Sequence, residues 1–195
     1  MDIINVLGKP CPIPVVEAKR ALKNTMIGQE IHLLVDNDIS AQNLEKMAAG
    51  MGMPCTCQNQ DDGNILVTIV KTAEAAAADA DKNNGFLTVV IGKNTMGEGN
   101  DELGAILLKG FIYALTELKK APQNIVFYNS GVTLTTEGSN VITDLKTLVS
   151  KGAAILSCGT CLEFFKLKEK LAIGSVTNMY VITELMAESE RIIKI

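Results

Sequence analysis

Leu7-Gly8-Lys9-Pro10-Cys11-Pro12-Ile13-Pro14 sets a single thiol at the start of a helix and decides how the N-terminal part of the chain folds. Proline fixes φ near the helical value and lacks an N–H, so it suits the first helical turn and harms the interior. Pro12 therefore reads as the first helical residue and Cys11 as the N-cap, with Pro14 still inside the first turn. Val15, Ala18, Leu22 and Met26 follow at spacings of three and four, the apolar stripe of an amphipathic helix running to about Asn24. Unpaired N–H groups and the dipole at such a terminus favour negative charge. Cys11 is thus expected to ionise more readily than a free thiol, whose pKa is about 8.5. The alternative is a small buried cysteine beside a proline turn.

Outward from that stretch the periodicity builds a small domain. Residues 3–6 predict a first strand, and Gly28-Gln29 turns the chain out of the helix into a β-branched and aliphatic strand over 30–35. Asp36-Asn37-Asp38 breaks that strand. Ser40 is the expected N-cap of a second helix with Leu44, Met47, Ala48 and Met51 at helical spacing, closed by Gly50 or Gly52. Residues 53–59 and 65–72 read as strands joined by Gln60-Asp61-Asp62-Gly63-Asn64, whose Asp-Gly pair is a strong hairpin signal. The order βαβαββ predicts a two-layer α/β domain over residues 1–72. Cys55 and Cys57 lie two apart in one strand and share a face with Met53. With no second pair at zinc-ligand spacing in this half, burial in the core is expected for them.

Residues 73–84, with their alanine and acidic run, break the composition and read as an interdomain linker spanning ~20 Å if flexible, or a stiff spacer if helical. Residues 86–92 then form a nearly continuous apolar strand, of the kind buried on both faces of a parallel sheet. Leu103, Leu107, Gly110, Phe111, Ala114 and Leu118 mark a helix stripe, and residues 124–128 a strand. Val141, Leu145, Leu148 and Val149 mark a second helix, residues 153–157 a strand, 179–188 a helix and 191–195 a last strand. Strands alternating with helices predict a doubly wound, flavodoxin-like parallel sheet over residues 85–195.

Two stretches of this second half bear on chemistry. Gly97-Glu98-Gly99-Asn100-Asp101-Glu102-Leu103-Gly104 has its third glycine misplaced for a dinucleotide loop, and three carboxylates would repel a pyrophosphate. A flexible loop at the carboxyl edge of the sheet is the better reading. Ile155-Leu156-Ser157-Cys158-Gly159-Thr160-Cys161-Leu162-Glu163 is where a buried strand ends and a helix begins. Thr160 and Glu163 fit a capping box, which makes Thr160 the N-cap and exposes Cys161, at the first helical position, to the helix dipole. Cys158 sits one turn outside. Such a pair can hold thiolate, disulfide or persulfide. A zinc site would need further Cys or His ligands, which this half lacks, so neither metal nor cofactor is expected.

Gly8, Cys11, Pro12 and Pro14, with the helix behind them, resemble the CPxP signature of the TusA (SirA-like) sulfur carriers. That resemblance implies a persulfide on Cys11. The second half resembles the DsrE-like family of sulfur-relay subunits, whose reactive cysteine follows a strand in a sheet of this kind. It implies that role for Cys158 or Cys161 and a homo-oligomer through the C-terminal domain. A TusA-like half joined to a DsrE-like half is similar to the YedF proteins, a family linked by naming and context to selenium metabolism. The joint resemblance implies sulfurtransferase-like handling of sulfur or selenium, with donor and acceptor proteins of a relay as partners.

Bulk properties narrow the remaining classes. A net charge of −4 and a pI near 5.1 leave no electrostatic footprint for nucleic acid, and Lys166, Lys168 and Lys170 read as a solvated helix face. The N-terminus lacks the basic region of a signal peptide, and no run of about eighteen apolar residues occurs, so a soluble cytoplasmic protein with no membrane partner is expected. Five cysteines cannot all pair. His32 lies in an apolar run and reads as a satisfied strand residue rather than a base. Three functions stay open: a chalcogen carrier using Cys11 with Cys158 and Cys161, a thiol–disulfide oxidoreductase using the Cys158/Cys161 pair alone, and a non-catalytic interaction module.

Overall fold

Ile65, Val67 and Ile69 are buried while Leu66, Thr68 and Val70 stay half-exposed, the period-two pattern of a sheet packed on one face. This strand, β4 (Ile65–Val70), lies between β2 (Glu30–Val35) and β3 (Cys55–Asn59) and runs antiparallel to both. β1 (Ile3–Asn5) pairs parallel to β2, giving the sheet order β1-β2-β4-β3. Ala18 and Leu22 of α1 (Ile13–Asn24) and Ala41, Leu44 and Ala48 of α2 (Asp38–Gly50) form one core with Leu33, Val35, Val67 and Ile69. The expected βαβαββ order is present. The computed structural model describes residues 3–10, 12–73 and 86–195. The chain divides into two compact units, residues 1–82 and 83–195. Apart from Ala73, the expected linker lies outside the described residues.

Three local expectations for this unit are corrected. The Pro12 carbonyl accepts the Val16 N–H at 3.1 Å, so Pro12 is the N-cap and α1 begins at Ile13, with Pro14 one residue further in. Cys11, expected as the cap, lies outside the described residues. α2 is capped by Asn37 instead of Ser40, because the Asn37 Oδ1 accepts the Ser40 N–H at 2.8 Å. Cys57 is exposed, whereas Cys55 is half-buried against the edge of the core. β3 is an edge strand, and the burial that includes Met53 ends with its first residue.

The second unit is a five-stranded, all-parallel flavodoxin-like sheet in the order β8-β7-β6-β5-β9. Its strands are β5 (Leu87–Ile91), β6 (Asn124–Phe127), β7 (Ala154–Cys158), β8 (Ser175–Thr177) and β9 (Arg191–Lys194). The helices are α3 (Asp101–Thr116), α4 (Ile142–Ser150), α5 (Gly159–Phe164) and α6 (Met179–Glu188). Leu108, Ile112 and Leu115 of α3 and Leu145 and Leu148 of α4 pack with Val89, Ile91, Ile125 and Phe127. The expected α3 stripe is displaced: Leu103, Leu107 and Leu118 are exposed. α3 is apolar on both faces, so spacing alone does not select the face that meets the sheet. β8 was not expected; three residues carry no periodicity, and the strand exists through its pairing with β7.

Candidate functional site

Parallel strands bring their carboxyl ends to one edge, where clefts open at the point of order reversal. Here the reversal is at β5, which has β6 on one side and β9 on the other. Residues just beyond these strands, among them Lys93, Tyr128 and Asn129, line a cavity of about 300 Å³ with Thr95, Gly97 and Glu98. The glycine loop is thus part of its wall. Gly97 at φ +80° and Gly99 at φ +134° adopt backbone open mainly to glycine. Asn100 ends the loop by accepting the Leu103 N–H at 2.9 Å, which caps α3.

The two cysteines flank the neighbouring strand-to-helix junction. Cys158 is the last residue of β7, is buried, and is itself the N-cap of α5. The expected capping box is absent: Thr160 lies inside the helix, and Glu163 pairs with Lys168 at 2.8 Å. The helix follows β7 directly, at Gly159, after the last β7–β8 pair sets Cys158 opposite Thr177. Gly159 fits that tight exit, since a Cβ there would come within 2.9 Å of Val176 Cγ1.

Cys161 is half-buried, and its Sγ accepts the backbone N–H of Asn129 at 3.1 Å. Asn129 opens the 3₁₀ segment Asn129–Thr135 after β6, with left-handed backbone at φ +49°. The Thr135 and Ser157 hydroxyls, 2.8 Å apart and buried, tie that segment to β7 beside the cysteines. Burial pushes the Cys161 thiol above its ordinary value; the Asn129 N–H pulls it down, and the adjoining Cys158 pushes it up. The activation expected from the helix dipole does not prevail. Sequence reasoning missed Asn129 because its contribution is a backbone N–H. Its only visible signal was a residue type tolerant of left-handed backbone directly after a buried strand.

Cys158 ends β7 and Cys161 lies three residues on in α5, and Cys158 is one of the groups that raises the Cys161 thiol. Mild oxidation is therefore expected to link this pair before any other. Peptide mapping checks it, and Cys55 or Cys57 modified before Cys161 would reverse the assignment.

The first unit holds the other thiols. Lys9 N–H bonds the Val6 carbonyl at 3.2 Å and Ile13 N–H the Pro10 carbonyl at 2.9 Å. On β3, burial and then the Glu45 carboxylate raise Cys55, while burial and a hydrogen bond to Glu45 push Cys57 up to about 12. His32 is a strand residue whose Nδ1 lies 3.0 Å from the Thr68 hydroxyl and Nε2 3.3 Å from Glu30. Among the described residues no group of three or more His, Cys, Asp or Glu is arranged to hold a metal. No helix among them is long and apolar enough to cross a membrane.

Residues 2–71 match the family described as Sulfurtransferase TusA, and residues 68–195 match the DsrE/DsrF-like family. A candidate sulfur carrier protein of Methanocaldococcus jannaschii is 25% identical over 71 residues, covering 36% of this chain and 95% of that protein. The solved SirA-like protein from Desulfitobacterium hafniense is 51% identical over 37% of this chain and 99% of that one, with a TM-score of 0.35. The ychN protein from E. coli is 12% identical over 57% of this chain and 99% of that one, with a TM-score of 0.46.

Proposed function

The chain belongs to the DsrE/DsrF-like family and carries a TusA-like domain ahead of that region, and on that premise we propose that it relays sulfur or selenium as a cysteine persulfide or selenopersulfide. Cys11 in the carrier domain, residues 1–72, bears the terminal chalcogen. Residues 73–84 link it to the second domain, residues 85–195, where Cys158 and Cys161 exchange with it. The observation that carries the reading is the joining of two sulfur-handling families in one chain, each contributing cysteine at a strand-to-helix connection.

The chemistry needs no outside oxidant. A Cys161 thiolate attacks the terminal sulfur of the Cys11 persulfide, a new S–S bond forms on Cys161 as the old one breaks, and Cys11 leaves as a thiolate. Since Cys161 lies above its ordinary pKa, transfer should speed up as pH rises. Donor and acceptor proteins, a reducing cytoplasmic setting and a homo-oligomer through the second domain belong to the same proposal. So does a selenium substrate.

Intact mass after incubation with a persulfide donor tests it. A gain of one sulfur is expected in the full chain and in Cys158→Ser and Cys161→Ser, and no gain in the Cys11→Ser chain with both second-domain cysteines also replaced by serine. The spacing of Cys158 and Cys161 across the β7–α5 junction favours one other reading, a thiol–disulfide oxidoreductase. Loss of two hydrogens on oxidation, with no sulfur gained from the donor, would favour it and defeat the carrier.

A further inference from the structure

We propose that Asp36 is a positioning residue for the sulfur-bearing loop: its carboxylate holds the Gly8 N–H and, through Asn37, ties residues 7–10 to the start of α2. The inference rests on the assignment of Cys11 as the carrier thiol.

Among the described residues of the loop, two of the bonds are local. Leu7 N–H bonds the Asn5 side chain at 3.0 Å and Lys9 N–H the Val6 carbonyl at 3.2 Å, both contacts with near neighbours in the chain. The long-range bond runs from Gly8 N–H to Asp36 Oδ2 at 2.6 Å, 28 residues away. A short bond to a charged acceptor is of the stronger kind. Gly8 meets it with left-handed backbone at φ +67°, and the space where a Cβ would stand is open, so the glycine serves conformation and not clearance.

Each polar atom of the clamp has its own task. Asp36 Oδ1 accepts the Asn37 Nδ2 at 2.6 Å, and the other end of that amide, Oδ1, accepts the Ser40 N–H at 2.8 Å. The Asn37 side chain is thereby held at both ends, and so is the carboxylate. Asp36 directly follows β2, and Val6 N–H extends the β1–β2 pairing to the Leu34 carbonyl at 3.1 Å. The base of the loop is thus fixed by the sheet and its middle by Asp36, two residues short of the Pro10–Cys11 bond. Persulfide exchange needs the attacking thiolate aligned with the S–S bond, so a loop free to wander lowers the transfer rate. The Gly8 bond and then the Asn37 bond hold the Asp36 carboxyl below its ordinary 3.8. A lowered pKa means that the clamp is intact above that value and opens only as pH falls through the folded one.

The test compares the full chain with Asp36→Ala and Asp36→Asn at neutral pH, following Gly8 amide exchange by NMR, sulfur loading of Cys11 and Cys11 alkylation by iodoacetamide. In Asp36→Ala the Gly8 amide should exchange at least about tenfold faster, and loading should fall about ten- to a hundredfold, the scale of lost orientation. Alkylation, which needs no aligned S–S partner, should change much less than loading. Asp36→Asn offers Gly8 an acceptor but turns an N–H toward Asn37, and it should fall between the two. Equal protection of the Gly8 amide, or loading within about twofold of the unaltered chain, overturns the proposal; thermal melts confirm folding, and if Asp36→Ala does not fold, Asp36→Asn decides on the same two criteria. If the unaltered chain takes no sulfur on Cys11, the carrier assignment fails, while the amide comparison still decides whether Asp36 holds the loop.

Discussion

Exposed as it is, Cys57 should take up iodoacetamide at pH 8 about a thousandfold more slowly than an ordinary surface thiol, because only the thiolate reacts. Its pKa is pushed up from 9.0 to about 12, first by partial desolvation of the sulfur and then by the Glu45 carboxylate. At pH 8 those two values differ in thiolate fraction by ~10³. Glu45→Gln keeps the shape and removes the charge, so it should accelerate alkylation about tenfold, burial remaining as the larger cause. Site-resolved mass spectrometry reads both rates. Alkylation of Cys57 in the unaltered chain as fast as free cysteine would defeat the explanation. The same shift has a stability consequence with a definite sign. A folded pKa above the unfolded one means that the protonated thiol's contribution is complete below 9.0 and is lost as pH climbs toward about 12. Cys57→Ser should therefore lose less of its urea resistance in alkali than the unaltered chain.

That behaviour was legible in the sequence only by half. Alternation put Cys55 and Cys57 on one face, but which strand would be the edge depends on pairing between distant segments, and only the pairing leaves Cys57 exposed. The element order of the first unit, and that of the second apart from β8, could be read because strand and helix periods differ and because Asp62-Gly63 marks its hairpin. Helix starts were missed by one to three residues at Pro12, Asn37 and Cys158. Of the three, only at Asn37 does a side chain cap the helix; Pro12 and Cys158 mark the starts by backbone alone. Asn37 prevails over Ser40 because its amide is also held by Asp36, whereas at Cys158 the helix follows the last β7–β8 pair directly. The site followed the same division. The thiols were visible as residue types, whereas Asn129 and Asp36 act through a backbone N–H or on one, and such a role leaves almost no trace in composition.

Gly131→Ala should both destabilise the second domain and slow Cys161, although residue 131 touches neither cysteine in any bond described above. Gly131 is buried in the 3₁₀ segment, and its φ is not in the left-handed region, so alanine brings no backbone strain. The difficulty is space. A Cβ there would stand 2.3 Å from the Ile91 carbonyl oxygen. Ile91 ends β5, an interior strand, and its carbonyl already accepts the Tyr128 N–H at 3.1 Å. Strand backbone cannot yield, so the segment must lift, at a cost of about 1–3 kcal/mol or ~5–15 °C in Tm for a domain of this size. Lifting it carries the Asn129 N–H away from Cys161 Sγ, now 3.1 Å apart. That bond is what lowers the Cys161 pKa against burial and Cys158. Without it the thiol moves further up, and alkylation at fixed pH slows. Gly138→Ala supplies the comparison, since Gly138 sits at φ +83° with open space around it, so its cost is backbone strain without a clash. Both variants should melt earlier, and only Gly131→Ala should shift the pH profile of Cys161 upward. An identical Cys161 profile in the two would mean that the 3₁₀ segment supports the fold without tuning the thiol.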